Sequence, residues 1–380
     1  MSNAWAEIRL DHLDYNLTAL RSALPAGTQV MAVVKADAYG HGAAQVAARL
    51  YACGVRSFAV ANIDEGIALR LQGLEGEILI LGCTPSHRLD DLVRYRLAQT
   101  VVGADDAARL QAFGKRIDVH VKIDTGMNRL GEPCERIDRV LSMYRHSRLR
   151  VTGTFSHLAA ADSQEPSDVA FTRTQIERFD RVVRRVRAAG FDPGRLHLQS
   201  SSGILNYPEL RCDLARPGIA LYGLLPRERD KRNARLELRP VLSLKASVTR
   251  VNEIRAGESV GYGRRFVAPR DSRIATVSIG YADGISRALS DRGGCVLIRG
   301  RRAVIIGSIC MDQLSADVTD IGDVRPGDTV TLIGQDGDER ITAEEVAGWA
   351  GTIANEVVST LGPRVEKRYI LSEAGSAIRA

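Results

Sequence analysis

The sequence lacks the features expected of a membrane, secreted or metal-binding protein. No apolar run approaches the roughly 20 residues that a membrane-spanning helix needs, and the N-terminus has no basic segment followed by an apolar one, as a secretory signal would. Its six cysteines form no C-x-x-C pair and no zinc spacing. We therefore expect this segment to belong to a reducing, cytoplasmic compartment and to bind no metal.

Charge of one sign is not concentrated anywhere in the chain. The 52 basic and 46 acidic residues are interspersed and leave a net charge of +6, and no nucleic-acid-reading motif accompanies them. A hydrophobic fraction of 44% excludes a disordered chain. Because 380 residues exceed one ordinary core, the composition predicts a globular protein of two domains that binds no nucleic acid.

The first part of the chain alternates short β-rich apolar runs with longer helical segments, a pattern typical of parallel strands joined by helices. The eight predicted strands cover residues 30–34, 57–61, 77–81, 99–102, 118–123, 150–155, 195–199 and 218–222. Eight such units predict a TIM-like (β/α)8 barrel. An open doubly wound sheet would show the same alternation, but no G-x-G-x-x-G turn follows the first strand.

From about residue 236 the pattern changes to short alternating runs separated by glycines. These runs cover residues 242–251, 274–280, 296–298, 303–309 and 329–333, and one helical segment covers 342–350. The pattern predicts a β-rich domain. The predicted organisation is therefore an α/β barrel over residues 1–235 followed by a C-terminal β domain over residues 236–380.

A lysine lies at the end of the first predicted strand. Lys35 follows the apolar run 31–34 and precedes small, flexible residues up to Gly42. The catalytic groups of α/β barrels lie where strands end, and other polar residues fall in such places: Asp124, His157, Ser201 and Tyr222. A partly desolvated amine can attack a carbonyl to form a Schiff base, whereas a lysine that only caps a strand would reach solvent.

The string Val-Val-Lys-Ala-Asp-Ala-Tyr-Gly-His-Gly at residues 33–42 resembles the pyridoxal-lysine motif of alanine racemases. Further segments match that family in order along nearly the whole chain, at residues 121–131, 155–157, 216–223, 260–263, 279–284 and 309–313. The resemblance implies an α/β barrel followed by a β domain, the cofactor pyridoxal 5'-phosphate, and a head-to-tail homodimer with shared active sites. The implied activity interconverts L- and D-alanine for peptidoglycan precursors.

Racemisation removes a proton from one face of the Cα atom and returns it on the other, so two acid/base groups must flank the substrate. The resemblance implies that Lys35 holds the cofactor and serves one face, while Tyr262 of the partner subunit serves the other. His157 corresponds to the family histidine that contacts this tyrosine and packs against the cofactor ring. Without the resemblance, His157 would equally well be a buried histidine with satisfied hydrogen bonds.

The resemblance also implies which residues bind the cofactor. Arg216 corresponds to the arginine that hydrogen-bonds the pyridine nitrogen, and because a guanidinium keeps its proton, the ring becomes a weaker electron sink that suppresses side reactions. Phosphate contacts through hydroxyl and backbone N–H groups are implied for four residues: Tyr39, Ser201, Gly218 and Ile219. The serine-rich turn at 200–202 could also be only a helix cap.

Substrate contacts follow from the same matched segments. Arg129 and the backbone of Met311 correspond to the groups that hold the substrate carboxylate, for which the planar guanidinium is suited. Lys122 matches a lysine that is carbamylated in many relatives and then orients Arg129; an unmodified strand lysine is the alternative. Tyr281, Arg287 and Asp162 are expected to line the access corridor. Asp312 is expected to support the site.

One position departs from the family pattern. Asn355 occupies the place of a tyrosine that in most alanine racemases reaches the cofactor phosphate and narrows the pocket. Together with the segment 198–208, it resembles the serine racemases associated with vancomycin resistance, so we expect serine to react as well as alanine. Those relatives carry an upstream membrane domain. The opening Met-Ser-Asn-Ala resembles the remnant of an expression tag and leaves that context open, although a free-standing enzyme is preferred.

Two other functions remain compatible with the barrel. A non-catalytic pyridoxal-phosphate carrier would lack the C-terminal β domain that supplies Tyr262 and Met311. An amino-acid decarboxylase of the same fold would use a different phosphate loop, and the Gly-Tyr-Gly at 261–263 favours racemisation instead.

Overall fold

Eight parallel strands close into a barrel in the computed structural model, which describes residues 3–227, 230 and 236–371. A strand that precedes the barrel, β1 (Ala4–Arg9), belongs to a second sheet. The barrel strands are β2 (Gln29–Val33), β3 (Ser57–Val60), β4 (Glu77–Ile80), β5 (Ala98–Val101), β6 (Ile117–Asp124), β8 (Leu149–Phe155), β9 (Arg195–His197) and β10 (Leu214–Ala215), and the short β7 (Glu132–Pro133) extends the sheet beside β6. Pairing of β5 with β6 and of β10 with β2 closes the barrel.

The predicted barrel is confirmed, but the eighth predicted strand was wrong. Residues 218–222 lie beyond β10, and Ile219–Tyr222 form a 3-10 helix. Pro217 has no N–H with which to extend the ladder. The hydroxyl of the buried Tyr222 donates to the carbonyl of Val33 at 2.9 Å, which holds the helix against the end of β2.

Helices follow most of the barrel strands and bury one face each. They are α1 (Leu10–Ser22), the single turn α2 (Lys35–Tyr39), α3 (Ala43–Ala52), α4 (Ile63–Leu71), α5 (Leu89–Arg94), α6 (Ala104–Ala112), α7 (Ile137–Met143), α8 (Pro166–Ala188) and α9 (Ser201–Asn206). Buried apolar side chains of the barrel strands form a small cluster of their own: Met31, Val33, Ala59, Leu79, Ala98 and Leu214. The polar residues that follow the strands are left at the open end of the barrel.

The predicted β-rich character of the C-terminal part is confirmed. Its strands are β11 (Leu242–Ile254), β12 (Ser259–Val260), β13 (Phe266–Val267), β14 (Ser272–Val277), β15 (Cys295–Ile298), β16 (Arg301–Ile306), β17 (Leu314–Asp317), β18 (Thr329–Asp336), β19 (Glu339–Ile341) and β20 (Glu366–Ile370), with helices α10 (Ala343–Ala350) and α11 (Ala354–Ser359). The large sheet has the order β19-β18-β15-β16-β17-β14-β11-β1-β20. Thus β1, at the start of the chain, lies between β11 and β20.

The boundary between residues 235 and 236 stays a prediction, and residue 235 lies outside the described residues, as do residues 1 and 2 of the opening segment. Ala4 is already part of β1 and pairs with Ala246. Within the described ranges, no helix is both long and apolar enough to cross a bilayer.

Candidate active site

A cavity of about 460 Å³ opens at the carboxyl ends of the barrel strands. Its lining includes ten of the residues that the sequence predicts to belong to the active site: Lys35, Tyr39, Lys122, Arg129, His157, Ser201, Arg216, Gly218, Ile219 and Asn355. They come from strand ends, from the loops that follow them, and from α11 in the case of Asn355. The fold therefore brings together residues that are more than 300 positions apart in the chain.

The cavity is strongly cationic. Lys35, Lys122, Arg129 and Arg216 all line it, and no aspartate or glutamate is among its lining residues in the described part of the chain. Burial and the nearby Arg129 lower the pKa of Lys35 below its ordinary value. Burial, Arg129 and Arg216 lower the pKa of Lys122 to about 8. The cavity thus combines two amines that deprotonate easily with two guanidinium groups that stay charged, which suits an anionic ligand and a nucleophilic amine.

An unusual backbone turn presents Lys35 to the cavity. Residues 36–39 all have φ near +50°, so α2 is one turn of left-handed helix without a glycine. For an L-residue this conformation costs roughly 1–2 kcal/mol. The turn is held by Glu65, whose Oε1 accepts from the N–H of Ala36 at 2.8 Å, and by Asp37, which accepts from Lys367 at 2.7 Å.

Replacing Ala36 with glycine is expected to leave stability unchanged or to raise it by up to about 1 kcal/mol, because glycine adopts positive φ without strain. Ala68 is the matched control, since it is also exposed but lies inside the right-handed α4. There, Ala68→Gly should cost about 1 kcal/mol. Thermal unfolding of the two variants checks this, and an equal loss in both would contradict a strained turn.

Arg216 and His157 form the floor of the cavity. Arg216 is buried, and its Nη2 donates to the carbonyl of Ser156 at 2.7 Å and to His157 Nδ1 at 3.3 Å. Burial lowers the pKa of Arg216 to about 10, which still leaves it charged at neutral pH. Burial and the charge of Arg216 lower the pKa of His157 to about 3. His157 is therefore a neutral imidazole that accepts through Nδ1 and carries its proton on Nε2.

One end of the cavity carries hydroxyl and backbone donors. The Oγ of Ser201 accepts from the N–H groups of Gly218 at 2.9 Å and Ala220 at 3.2 Å, so its own hydrogen is free to point toward a ligand. A Cβ atom at residue 218 would lie 2.5 Å from the hydroxyl of Tyr39, so a larger residue there would displace this hydroxyl. Burial raises the pKa of Tyr39 to about 12, which keeps this hydroxyl a hydrogen-bond donor.

Asn355 stands out because its Oδ1 is buried and has no hydrogen-bond partner among the described residues. Such an atom costs free energy unless a ligand or water satisfies it. Asn355 also lines the cavity.

The remaining predicted residues do not line this cavity: Tyr262, Tyr281, Met311, Asp312, Asp162 and Arg287. Tyr262 lies in a 3-10 helix of the C-terminal part and is 74% exposed. Met311 and Tyr281 are 53% and 42% exposed, and the carbonyl of Cys310 accepts from the N–H of Tyr281 at 3.0 Å. Asp312 is paired with Arg364 at 2.7 Å. Within one chain, Tyr262, the expected second base, and Met311, one of the two expected carboxylate contacts, therefore do not line the cavity that contains Lys35.

Sequence reasoning missed two supporting residues. Glu65 looks like an ordinary acid in the first turn of α4, following the N-cap Asn62, and only the fold shows that it holds Ala36. Phe155 ends β8, and its ring stacks on His197 at 4.6 Å, with the guanidinium of Arg216 5.1 Å from its centroid. In the sequence, the only indication of a role for Phe155 is that it lies two residues before His157 in the matched segment 155–157.

Comparison with known proteins agrees with this architecture. The family model described as the alanine racemase N-terminal domain matches residues 8–226, and the model of the C-terminal domain matches residues 241–369. An amino-acid racemase of Enterococcus faecalis is 44% identical over 95% of this chain, which spans only 51% of that protein. An alanine racemase of Carboxydothermus hydrogenoformans is 40% identical over 97% of this chain and 100% of that protein.

Solved structures give the same result. The alanine racemase of Bacillus anthracis with bound L-Ala-P superposes with a TM-score of 0.91 at 31% identity, covering 97% of this chain and 95% of that one. The alanine racemase of Clostridium difficile 630 superposes with a TM-score of 0.89 at 34% identity, covering 98% and 97%. The chain therefore belongs to the alanine racemase family of amino-acid racemases.

Proposed function

We propose that this protein interconverts L- and D-alanine with pyridoxal 5'-phosphate held by Lys35, and that it works as a head-to-tail homodimer with shared active sites. The observation that carries the proposal is the cavity in which a lysine of lowered pKa meets three further cations and no carboxylate. Such a lining is suited to a phosphate and an amino-acid carboxylate together.

The residues around the cavity fit this cofactor. Tyr39, Ser201, Gly218 and Ile219 would hold the phosphate, since they present hydroxyl and backbone donors at one end. Arg216, charged and fixed by three hydrogen bonds from its Nη2, would donate to the ring nitrogen. When bound, pyridoxal phosphate supplies an electron-withdrawing ring that acidifies the Cα–H of the amino acid.

Proton transfer falls to the chain's own side chains. Lys35 can accept and return a proton on one face because its neutral form is favoured. Tyr39 cannot serve the other face, since burial raises the pKa of its hydroxyl to about 12. Tyr262 of a second subunit would serve that face, with the Met311 backbone beside it and Arg129 holding the substrate carboxylate. Tyr281, Arg287 and Asp162 would line the access corridor, with Asp312 as support.

Lys122 would support Arg129 as a carbamate. Its neutral amine, favoured by the lowered pKa, can add to carbon dioxide with loss of a proton, which turns a cation into an anion. This charge would then offset the crowding of cations in the cavity.

The direct test incubates the purified protein and pyridoxal phosphate with L-alanine and measures D-alanine by chiral chromatography. Formation of D-alanine at turnover is the expected result. Cofactor binding without any D-product would instead favour a non-catalytic carrier.

Serine is a second substrate that one observation favours. The buried, unpartnered Oδ1 of Asn355 can accept a hydrogen bond from the hydroxyl of serine, and an amide leaves more room than the tyrosine usual in the family. A site with extra room still admits alanine. We therefore infer that both amino acids react.

Asn355→Tyr is expected to lower kcat/KM for serine by about 10- to 100-fold, because the new ring fills the space and removes the acceptor. The change for alanine should be much smaller. Asn355→Ala separates the two causes, since it removes the acceptor but keeps the space. Steady-state rates on both amino acids check this, and unchanged serine kinetics for Asn355→Tyr would refute the role of Asn355.

A further inference from the structure

A continuous row of hydrogen bonds runs from Arg216 to the opposite end of the barrel. Arg216 Nη1 lies 2.8 Å from His197 Nδ1, and His197 Nε2 lies 2.8 Å from His120 Nδ1. His120 Nε2 in turn lies 3.2 Å from Glu77 Oε1. Both histidines are fully buried. The row thus connects the floor of the active-site cavity to the first residue of β4.

The far end of the row reaches a separate cleft of about 620 Å³ at the amino ends of the strands. There Glu77 also accepts from Arg195 Nη2 at 2.5 Å. Burial alone would raise the pKa of Glu77, but the hydrogen bonds from His120 and Arg195 and the charge of the Arg195 guanidinium outweigh it and hold this pKa below its ordinary value. Glu77 is therefore a carboxylate throughout the physiological range. Gly153 makes room for the row, since a Cβ there would lie 2.6 Å from His120 Nδ1.

The hydrogen bonds of the row can point in one direction only. A guanidinium only donates, so His197 Nδ1 must accept and its proton lies on Nε2. That N–H points at His120 Nδ1, which must then accept in turn and leave its proton on Nε2. A charged imidazole carries a proton on both nitrogens. On His197 the Nδ1 proton would oppose the N–H of Arg216, and on His120 it would oppose the N–H of His197, so both imidazoles are neutral. Consistent with this, burial and Arg216 lower the pKa of His197 well below its ordinary value.

We propose that Glu77, His120 and His197 are positioning residues that fix the orientation of Arg216, and that Glu77 sets the direction of the row because a carboxylate can only accept. With Nη1 bound to His197 and Nη2 bound to Ser156 and His157, the guanidinium cannot rotate. The remaining N–H groups of Arg216, which lines the cavity, are thereby held in place for a bound cofactor. This inference rests on the proposed function.

Glu77→Leu tests the direction, because it removes the acceptor at the far end of the row and keeps a side chain of similar volume. With no acceptor beside it, the proton of His120 is no longer held on Nε2, which allows the row to reverse until the N–H of His197 faces the N–H of Arg216. Two opposed donors would displace the guanidinium. The control is Asp118→Asn, which breaks the exposed pair of Asp118 with Arg150 in the same cleft but touches no histidine.

For Glu77→Leu we expect kcat for alanine to fall about 3- to 10-fold with little change in KM. The absorbance band of the bound pyridoxal phosphate should shift, and its Kd should rise by a similar factor. Asp118→Asn should match the wild type in all four quantities. If Glu77→Leu also matches it, the positioning role is overturned.

Nitrogen NMR of the wild-type protein tests the row independently of turnover. The chain has seven histidines, and single-histidine variants assign His120 and His197. Both should show the Nε2–H tautomer, and His197 should stay neutral down to pH 5. An Nδ1–H tautomer at either residue would refute the row even if alanine is racemised. If the wild-type protein does not racemise alanine, the proposed function is refuted. The histidine tautomers and the Kd of the cofactor would still test whether the row positions Arg216.

Discussion

Lys35→Ala is expected to lower kcat for alanine racemisation by about 10³-fold or more, since the variant loses both the attachment of the cofactor and one of two acid/base groups. The lowered pKa of Lys35 supports this double role, because burial and Arg129 favour the neutral amine. Lys35→Arg should be nearly as inactive, since a guanidinium stays protonated. Initial rates of D-alanine formation provide the measurement.

Lys245→Ala is a suitable control for that experiment, because Lys245 pairs with Glu7 in the C-terminal sheet, away from the cavity. It should keep the wild-type rate. Borohydride reduction followed by peptide mapping should place the cofactor on Lys35 in the wild type. Cofactor attached elsewhere, or a Lys35→Ala variant within tenfold of the wild-type rate, would contradict the assignment.

Tyr262→Phe is expected to lower kcat for racemisation by about 10²- to 10⁴-fold, since it removes the hydroxyl proposed to serve the second face. Lys35 would remain able to exchange the Cα proton of one enantiomer. In deuterium oxide, this variant should therefore incorporate deuterium into one enantiomer of alanine much faster than it inverts it. Tyr281→Phe is the control, and equal losses in both tyrosine variants would argue against a specific base.

The exposure of Tyr262 in one chain gives this prediction a second part. If a partner supplies the tyrosine, Lys35→Ala and Tyr262→Phe subunits should complement each other, because a mixed dimer contains one site with both groups intact. Random mixing would restore about a quarter of the wild-type activity. Absence of recovery, with mixed dimers shown by native mass spectrometry, would place both groups of each site in one chain.

The sequence predicted the barrel and the cavity residues well, because each functional group lies in a short matched segment at the end of an apolar strand. It failed where tertiary contacts decide the backbone. Residues 218–222 are apolar enough for a strand, yet Pro217 and the hydrogen bond of Tyr222 to Val33 make them a 3-10 helix. The left-handed turn at residues 36–39 contains no glycine, which is the residue that usually indicates positive φ in a sequence.

The row below Arg216 could not be predicted for a different reason. Glu77, His120 and His197 are separated by 43 and 77 positions in the chain, and no local pattern relates them. Their contact arises only when β4, β6 and β9 are wrapped into one barrel. The same holds for Glu65, whose partner Ala36 lies 29 residues earlier.

The position of β1 connects the barrel to the C-terminal sheet, because this strand precedes the barrel in the chain and pairs with strands of that sheet. Its residues 4–9 pair antiparallel with β11 and parallel with β20, so the barrel is an excursion of the chain between two neighbouring strands of the C-terminal sheet. Detaching that sheet from the barrel would remove β1 from between β11 and β20 and leave an unpaired edge on each, and such edges favour aggregation. Because the strand that leads into the barrel is also a member of the C-terminal sheet, we expect the two parts to unfold in a single transition.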